Sequence, residues 1–182
     1  MKHIELPLTK EKLFELRCGD AVTLSGVLYT GRDAAHKRMI EALQAGQNLP
    51  FDVENATIYY VGPCPHKDGE VIGSCGPTTS GRMDAYAPTL IEKGLTGMIG
   101  KGIRKRAVID AMKRHGAVYF GAIGGAGALL ARHVKKSEVI AYDDLGTEAV
   151  HALTVENFPV TVIVDAQGND LYESGKAKYR KV

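Results

Sequence analysis

The chain has 182 residues, of which 45% are hydrophobic, and its 23 Lys and Arg against 21 Asp and Glu leave a formal net charge of only +2. A chain of this size can enclose a core without disulfides or a structural metal, so we expect one domain over residues 1–182. The charge balance gives no sign of a nucleic-acid partner, and no apolar stretch has the length of a signal peptide or a membrane span, which predicts a cytoplasmic protein without membrane contact.

The first predicted elements are a strand at residues 22–29 and a helix at residues 34–43, joined by Thr30-Gly31-Arg32-Asp33. Thr30 and Asp33 have the spacing of a capping box, which predicts that Arg32 lies in the first helical turn. A short buried strand is predicted at residues 56–61, where Gly62-Pro63 stops it.

Residues 64–74 have the composition of a hairpin connection followed by a second short strand, which leads into Gly76-Pro77-Thr78-Thr79-Ser80. Helical apolar spacing then runs from residue 81 to residue 93, with Thr79 or Ser80 as the natural N-cap. The pattern therefore places the two threonines at the mouth of a helix.

The second half alternates short apolar strands with helices, and Lys101 stands between two glycines just before a helix predicted at residues 103–115. Later strands are predicted at residues 117–123, 139–142, 153–155 and 160–164, and a basic tail without evident structure from Lys176. Alternating strands and helices predict an α/β domain with a mainly parallel central sheet and some antiparallel pairing.

Three of these loops share one design, in which glycine and hydroxyl residues end a strand, open a helix and offer one cation: Arg32, Arg82 and Lys101. Free backbone N–H groups at a helix start favour an anion, and an Arg guanidinium matches a carboxylate in two parallel hydrogen bonds. The three loops together predict a site for a small polyanion. The alternative is that each loop only caps its helix, with the cation in solvent.

The hydroxyls of Thr78 and Thr79 could cap a helix, hold a substrate or relay a proton, and capping is the commonest role of Thr at such positions. A free Thr hydroxyl is a poor base, so proton transfer by Thr78 would need a nearby base or a polarised site that excludes water.

Other possible sites have weaker patterns. The three cysteines, Cys18, Cys64 and Cys75, are widely spaced, which predicts free thiols rather than an iron–sulfur or zinc site. The glycines at positions 121–127 do not match the dinucleotide fingerprint and favour close helix packing. Asp143, Asp144 and Glu148 could form a carboxylate pair, but acidic residues at a strand end are more often solvated.

At three places the sequence resembles the beta regions of class I fumarases and tartrate dehydratases, in the same order and with similar spacing. These are Thr30-Gly31-Arg32-Asp33, the nine residues Gly76-Pro77-Thr78-Thr79-Ser80-Gly81-Arg82-Met83-Asp84, and Gly100-Lys101-Gly102. The resemblance extends from the first strand through Pro159 and the Gly168-Asn169-Asp170 turn, and implies a swivelling β/β/α-type domain.

In that family a separate alpha region supplies three cysteines to a 4Fe–4S cluster, and the active site lies in the cleft between the two regions. The resemblance therefore implies that the cluster belongs to a partner alpha subunit in a hetero-oligomer, that this chain is active only with that partner, and that its own cysteines are not cluster ligands.

Carried over residue by residue, the resemblance implies that Thr78 moves the proton and that Arg32, Arg82 and Lys101 bind the substrate carboxylates. Further residues of the matching motifs would support the site: Asp33, Gly76, Pro77, Thr79, Gly81 and Asp84. Gly81 and Asp84 look more like the fumarase pattern, which predicts reversible hydration of fumarate to (S)-malate. Tartrate dehydration and a non-catalytic dicarboxylate-binding module stay open as alternatives.

Overall fold

One β-sheet that curls into a ring organises the chain. The computed structural model describes residues 1–180, and the strands of this part are β1 Lys2–Glu5, β2 Ala21–Thr30, β3 Thr57–Tyr59, β4 Gly97–Gly100, β5 Val118–Gly121, β6 Val134–Ala141 and β7 Val150–Val164. The α-helices are α1 Lys10–Phe14, α2 Asp33–Gln44, α3 Ala87–Glu92, α4 Arg106–His115, α5 Gly127–Ala131 and α6 Leu171–Tyr179. Short 3-10 helices lie at Ser80–Met83 and Asp143–Glu148.

The strand order is β1-β2-β3-β4-β5-β7-β6, and β7 also pairs with β2, which closes β2, β3, β4, β5 and β7 into a barrel-like ring. The pairings from β1 to β5 are parallel, whereas β7 is antiparallel to β2, β5 and β6. The predicted α/β class is confirmed. The sheet is mixed, with four parallel pairings and three antiparallel ones that all involve β7, so a mainly parallel sheet is not confirmed.

The long strand β7 is the reason for this difference. The sequence predicted two short strands around Pro159, because proline cannot donate to a ladder. The structure has one strand of 15 residues, and its register against β2 shifts between Leu24 and Gly26, near Asn157, whose φ is 50°. Proline is tolerated beside such a bulge, so the strand continues across Pro159 and closes the ring.

Alternating side chains give the sheet two apolar faces. One buried cluster includes Leu24, Tyr59, Phe120 and Phe158, and the other joins Ile58 and Met98 on the opposite face to the three main helices. The buried residues that these helices contribute are Met39 of α2, Leu90 and Ile91 of α3, and Val108 and Met112 of α4. Helices therefore cover the second face and hold the strand ends in place.

Two local predictions are wrong. Residues 64–74 form neither a hairpin nor a strand, and the loop is closed instead by a 2.9 Å bond from the Cys64 N–H to the Ser74 carbonyl. The predicted unstructured tail from Lys176 is helical up to Tyr179, because α6 extends to that residue. The Asp170 carboxylate caps α6 by accepting a hydrogen bond from the Tyr172 N–H. Residues 181–182 of the predicted tail lie outside the described residues.

The longest helix among residues 1–180 is α2, with 12 residues, and none of the helices there combines the length and the apolar composition that a bilayer crossing requires.

Candidate functional site

The carboxyl ends of the parallel strands β2, β3, β4 and β5 meet at one edge of the sheet, which is where ligands commonly bind in α/β proteins. Residues 31–33 follow β2, Lys101 and Gly102 follow β4, and the glycines from position 121 follow β5. The fold therefore gathers at this edge the loops that the sequence predicted to bind an anion. We call it the carboxyl edge.

The 76–84 segment joins this edge by inserting between the ends of β3 and β4. The Thr78 N–H donates to the Tyr60 carbonyl at 2.7 Å, the Lys101 N–H donates to the Thr78 carbonyl at 3.3 Å, and the Ser80 N–H donates to the Lys101 carbonyl at 2.9 Å. Thr79 and Lys101 form a parallel bridge. Thr78 and Lys101 are thus brought onto neighbouring backbone, although they are 23 positions apart in the sequence.

Close contact at the carboxyl edge explains one glycine beside this insertion. A Cβ on Gly100 would lie 1.9 Å from Ser80 Oγ, so only glycine lets the 76–84 segment approach the end of β4 this closely. The Ser80 hydroxyl hydrogen-bonds the Tyr119 hydroxyl at 2.9 Å, and Tyr119 donates in turn to the Gly102 carbonyl at 2.9 Å. The loops after β4 and before α3 are therefore tied together below the edge.

The threonines do not act as helix caps. The Thr30 hydroxyl donates to the Ala149 carbonyl and accepts from the His151 N–H, so the predicted capping box is wrong and Arg32 stands at the N-cap instead. Thr79 precedes the 3-10 helix without a side-chain cap bond. Thr78 is partly buried, and its hydroxyl has no hydrogen-bond partner among residues 1–180. That hydroxyl is free to meet a ligand.

Arg82 is held by Asp33, the first residue of α2. Arg82 Nε donates to Asp33 Oδ1 at 2.9 Å, and Nη2 lies 2.6 Å from Oδ2. The Arg82 side chain is 49% exposed, so the cation faces solvent at the edge while its inner side is neutralised. The sequence did not predict this partner.

Arg32 faces Glu148, with Nε 3.6 Å from Oε1, which is too long for a hydrogen bond. Arg32 Nε and Glu148 Oε1 are both buried without a hydrogen-bond partner in the described part of the chain. Arg32 packs against Gly62, where a Cβ would lie 2.9 Å from Nη1. A buried guanidinium N–H without an acceptor is costly, and an anionic ligand would satisfy it.

Lys101 is exposed, and its side chain runs along the glycine loop after β5. A Cβ on Gly124 would lie 3.6 Å from Lys101 Cδ and 3.8 Å from Nζ. No carboxylate of residues 1–180 forms an ion pair with Lys101. Its charge is thus available at the carboxyl edge.

Below the edge lies a buried cation that sequence reasoning missed, Arg104. Its guanidinium is fully buried, donates to Asp84 at 2.7 Å, and lies 5.3 Å and 4.9 Å from the ring centroids of Tyr60 and Tyr119. Burial opposes its charge, but the nearby Tyr60 and Asp84 outweigh burial and raise the pKa of Arg104. Its partners come from separate strands and loops, so no local sequence signal could have indicated it.

His36 lies beside this layer and supports the start of α2. Its Nδ1–H donates to the Arg32 carbonyl at 2.9 Å, and its ring packs edge-on against Tyr60. Burial lowers the pKa of His36 to about 4, which keeps the imidazole neutral near pH 7. A neutral His36 fixes the backbone that presents Arg32.

The cysteines are not arranged as a ligand set. Cys18 precedes β2 at the opposite edge of the sheet from Cys75, whose N–H bonds the Gly127 carbonyl. Burial raises the pKa of Cys18, and raises that of Cys75 to about 11, which disfavours the thiolate needed to bind iron. The cysteines are therefore not gathered in one place, since Cys18 lies at the other edge of the sheet and only Cys64 of the three is exposed.

The acidic residues and the glycine run that the sequence offered as other possible sites have structural roles. Asp144 pairs with Arg38, and Glu148 faces Arg32. Each of these two carboxylates therefore lies against an arginine, and they do not form a carboxylate pair. Gly127 packs against the 76–84 segment, where a Cβ would lie 2.7 Å from the Gly76 nitrogen. The glycine run thus supports close packing, as the sequence predicted.

The carboxyl edge therefore carries three cations, one free hydroxyl and a buried N–H that lacks an acceptor. Two separate arginines and a lysine suit a small ligand with more than one carboxylate, because each guanidinium can take a carboxylate in a bidentate pair.

Comparisons with known proteins show the family of the chain. The model of the family described as the fumarase C-terminus matches residues 1–175. The chain is 41% identical to the putative L(+)-tartrate dehydratase subunit beta of Methanocaldococcus jannaschii, over 96% of this chain and 93% of that one. It is 42% identical to the aerobic class I fumarate hydratase of Escherichia coli K12 over 84% of this chain, and 40% identical to fumarate hydratase 2 of Leishmania major over 90%. The chain spans only 28% and 29% of the length of these two fumarate hydratases.

Proposed function

Because this chain belongs to the fumarase C-terminus family, we propose that it is the beta subunit of an iron–sulfur hydro-lyase that reversibly hydrates fumarate to (S)-malate. It would act as one domain, of the swivelling β/β/α type, in the cytoplasm, together with an alpha subunit that carries a 4Fe–4S cluster. The observation that carries the proposal is the grouping of Thr78, Lys101, Arg82 and Arg32 at one edge of the sheet.

The three cations would bind the two substrate carboxylates. The Arg32 Nε–H and the Nη1 side of Arg82 are both donors that lack acceptors among residues 1–180, and Lys101 adds an exposed charge. When the carbon next to a carboxylate loses its proton, negative charge moves onto that carboxylate. Fixed cations there would stabilise this charge more in the transition state than in the substrate.

Thr78 would move the proton at that carbon. Its backbone is fixed on both sides by Tyr60 and Lys101, and its hydroxyl has no competing acceptor in the described residues. A Thr hydroxyl can take that proton only after it passes its own proton to a base, and closure by the alpha subunit would supply that base together with a polarised site that excludes water. The cluster, when that subunit brings it, would supply Lewis-acid chemistry at the departing hydroxyl.

The need for a partner is supported by the surface of the carboxyl edge. Ile103 and Ile123, which follow β4 and β5, are 63% and 75% exposed and flank Lys101. On assembly a partner subunit would bury these two side chains. The Methanocaldococcus relative is itself described as a subunit beta, and it matches this chain over nearly its whole length.

Tartrate is the second candidate substrate, because that same relative is described as a tartrate dehydratase subunit. We favour fumarate because Gly81 and Asp84 follow the fumarase pattern and the fumarate hydratases are equally similar in sequence. A module that only binds dicarboxylates would use the same cations but would not need the Thr78 hydroxyl.

Anaerobic co-purification tests the proposal. A tagged chain should bring down a brown protein with a broad iron–sulfur absorption band, and the complex should consume fumarate, which is followed by its ultraviolet absorbance. Tartrate dehydration without fumarate turnover would show that the substrate is wrong. Fumarate turnover by the chain alone would refute the requirement for an alpha subunit.

A further inference from the structure

Asp33 contacts one of the three candidate substrate-binding cations directly. Arg82 Nε donates to Oδ1 at 2.9 Å, and Nη2 lies 2.6 Å from Oδ2 as an ion pair that lacks the alignment of a second hydrogen bond. The two residues are 49 positions apart in sequence and belong to different loops of the carboxyl edge. The contact therefore joins the 76–84 segment to the start of α2.

Stability does not account for this pair. The side chains of Arg82 and Asp33 are 49% and 34% exposed, and ion pairs this accessible contribute at most about 1 kcal/mol. The chain has a matched example in Arg38 and Asp144, an Arg–Asp pair that also joins α2 to a 3-10 helix with two short contacts. That second pair involves none of the candidate site residues.

The geometry of the guanidinium shows what Asp33 leaves free. Arginine has five N–H groups in a rigid plane, and Asp33 occupies the side formed by Nε and Nη2. The Nη1 side of Arg82 has no hydrogen-bond partner in the part of the chain that the structure describes. Asp33 thus fixes the plane of the cation and leaves one side open for a ligand carboxylate.

Asp33 is itself firmly placed. It is the first residue of the 12-residue helix α2 and directly follows Arg32, whose carbonyl accepts from both the backbone N–H and Nδ1 of the buried His36. Arg82 is therefore anchored to the residue next to Arg32. The residue that carries one guanidinium group and the residue that anchors the other are thus neighbours at one helix start.

We propose that Asp33 is a positioning residue that sets the spacing between Arg32 and Arg82 and thereby selects dicarboxylates with a four-carbon chain. The inference rests on the proposed function, because it assumes that the two arginines bind the two carboxylates of one substrate. Asp33 does not touch the substrate in this proposal. It orients the open side of Arg82 toward one carboxylate while Arg32 meets the other.

The test uses the complex of the full chain with its alpha subunit and measures competitive inhibition of fumarate hydration. Succinate has two carboxylates on a four-carbon chain, and glutarate has one methylene more. The ratio of their inhibition constants does not depend on the fraction of active enzyme, so a purely structural loss does not change it. Removing a negative charge from the carboxyl edge should strengthen the binding of both inhibitors to the same extent, which also leaves the ratio of their inhibition constants unchanged.

We expect the wild-type complex to prefer succinate by about tenfold, and Asp33→Asn to reduce the preference to about twofold or less as Arg82 loses its fixed orientation. Asp33→Glu, which keeps the carboxylate on a longer side chain, should recover part of the preference. The control Asp144→Asn should keep the wild-type ratio.

An unchanged ratio in Asp33→Asn, with normal fumarate turnover in the wild type, would overturn the role of Asp33 and leave the proposed function intact. A ratio that also falls in Asp144→Asn would overturn it as well, since loss of any pair on α2 would then suffice. A wild-type complex that turns over no hydroxydicarboxylate would refute the proposed function, and this inference would fail with it.

Discussion

The Arg104 guanidinium and the Asp84 carboxylate form a fully buried ion pair, with Nε 2.7 Å from Oδ1. The second oxygen of Asp84 accepts from the Lys105 N–H, also at 2.7 Å. Asp84 ends the 76–84 segment, and Arg104 follows β4 by four positions. The pair therefore fastens the segment that carries Thr78 to the loop that carries Lys101.

Breaking this pair should destabilise the fold. Asp84→Asn leaves the Arg104 charge buried without a counter-ion, and we expect the free energy of unfolding to fall by about 3–5 kcal/mol in urea titrations. The double variant Asp84→Asn with Arg104→Met removes both charges and should be more stable than Asp84→Asn alone. Asp110→Asn, which breaks the exposed pair with Arg106, should cost less than about 1 kcal/mol. Equal losses in the two single variants would contradict the role of burial.

Thr78→Ala should abolish most turnover without affecting assembly with the alpha subunit. The side chain makes no hydrogen bond to the described residues, so its removal costs little structure, whereas loss of a group that moves a proton typically lowers kcat by about 10²–10⁴-fold. Thr78→Ser keeps a hydroxyl and should retain more activity than Thr78→Ala. Thr79→Ala, at the exposed neighbouring position, is the matched control. Near-normal kcat in Thr78→Ala would remove Thr78 from the chemistry and favour a binding module.

Arg82→Met should lower kcat/KM for fumarate by about 10²–10³-fold, because it removes a fixed cation from the charge that develops on a carboxylate. Arg38→Met removes an arginine of a similar Arg–Asp pair that contains none of the candidate site residues, and it should leave kcat/KM within about threefold of the wild type. The measurement is the steady-state kcat/KM for fumarate of the complexes that contain each variant. Equal kinetics for both would show that Arg82 does not bind the substrate.

The exposed isoleucines of the carboxyl edge should contact the alpha subunit. A charge at Ile103 or Ile123 would be buried without a partner on assembly, so Ile103→Lys and Ile123→Lys should each weaken association by about tenfold or more. Phe14 is 54% exposed on α1, before β2 at the opposite edge of the sheet, and Phe14→Lys is the control. Sedimentation of mixed subunits measures the affinity. Weakening by Phe14→Lys alone would place the interface elsewhere.

Much of this site could be predicted because its residues belong to short continuous motifs. The strand, turn and helix around Arg32, and the run from Gly76 to Asp84, each contain their own local signals of glycine, hydroxyl and cation. The strand ends then had to meet at one edge, since parallel strands share their direction.

What could not be predicted depends on contacts between distant parts of the chain. Glu148 and Asp33 become counter-ions of arginines only through the folded geometry. The surroundings of Arg104 include Tyr60, which follows β3, and Tyr119 of β5. The long β7 was missed because a bulge near Asn157, invisible in the apolar pattern, lets the strand pass Pro159. Thr30 was misassigned as a cap because the acceptor of its hydroxyl, the Ala149 carbonyl just before β7, lies 119 positions away.

His36 should make the fold sensitive to mild acid. Burial lowers its pKa from 6.5 to about 4, so at pH between these values the unfolded chain binds a proton that the folded chain does not. The contribution of His36 to stability is therefore complete above pH 6.5 and decreases as the pH falls toward 4. From pH 7 to pH 5 we expect protonation linked to His36 to lower the free energy of unfolding by about 2 kcal/mol, measured by urea titration at both values.

His36→Asn keeps a donor for the Arg32 carbonyl but cannot titrate, so the stability that this variant loses between pH 7 and pH 5 should be smaller by that amount. His66→Asn, at an exposed position, should lose as much as the wild type. If His36→Asn lost as much stability as the wild type, the acid sensitivity would originate from other groups.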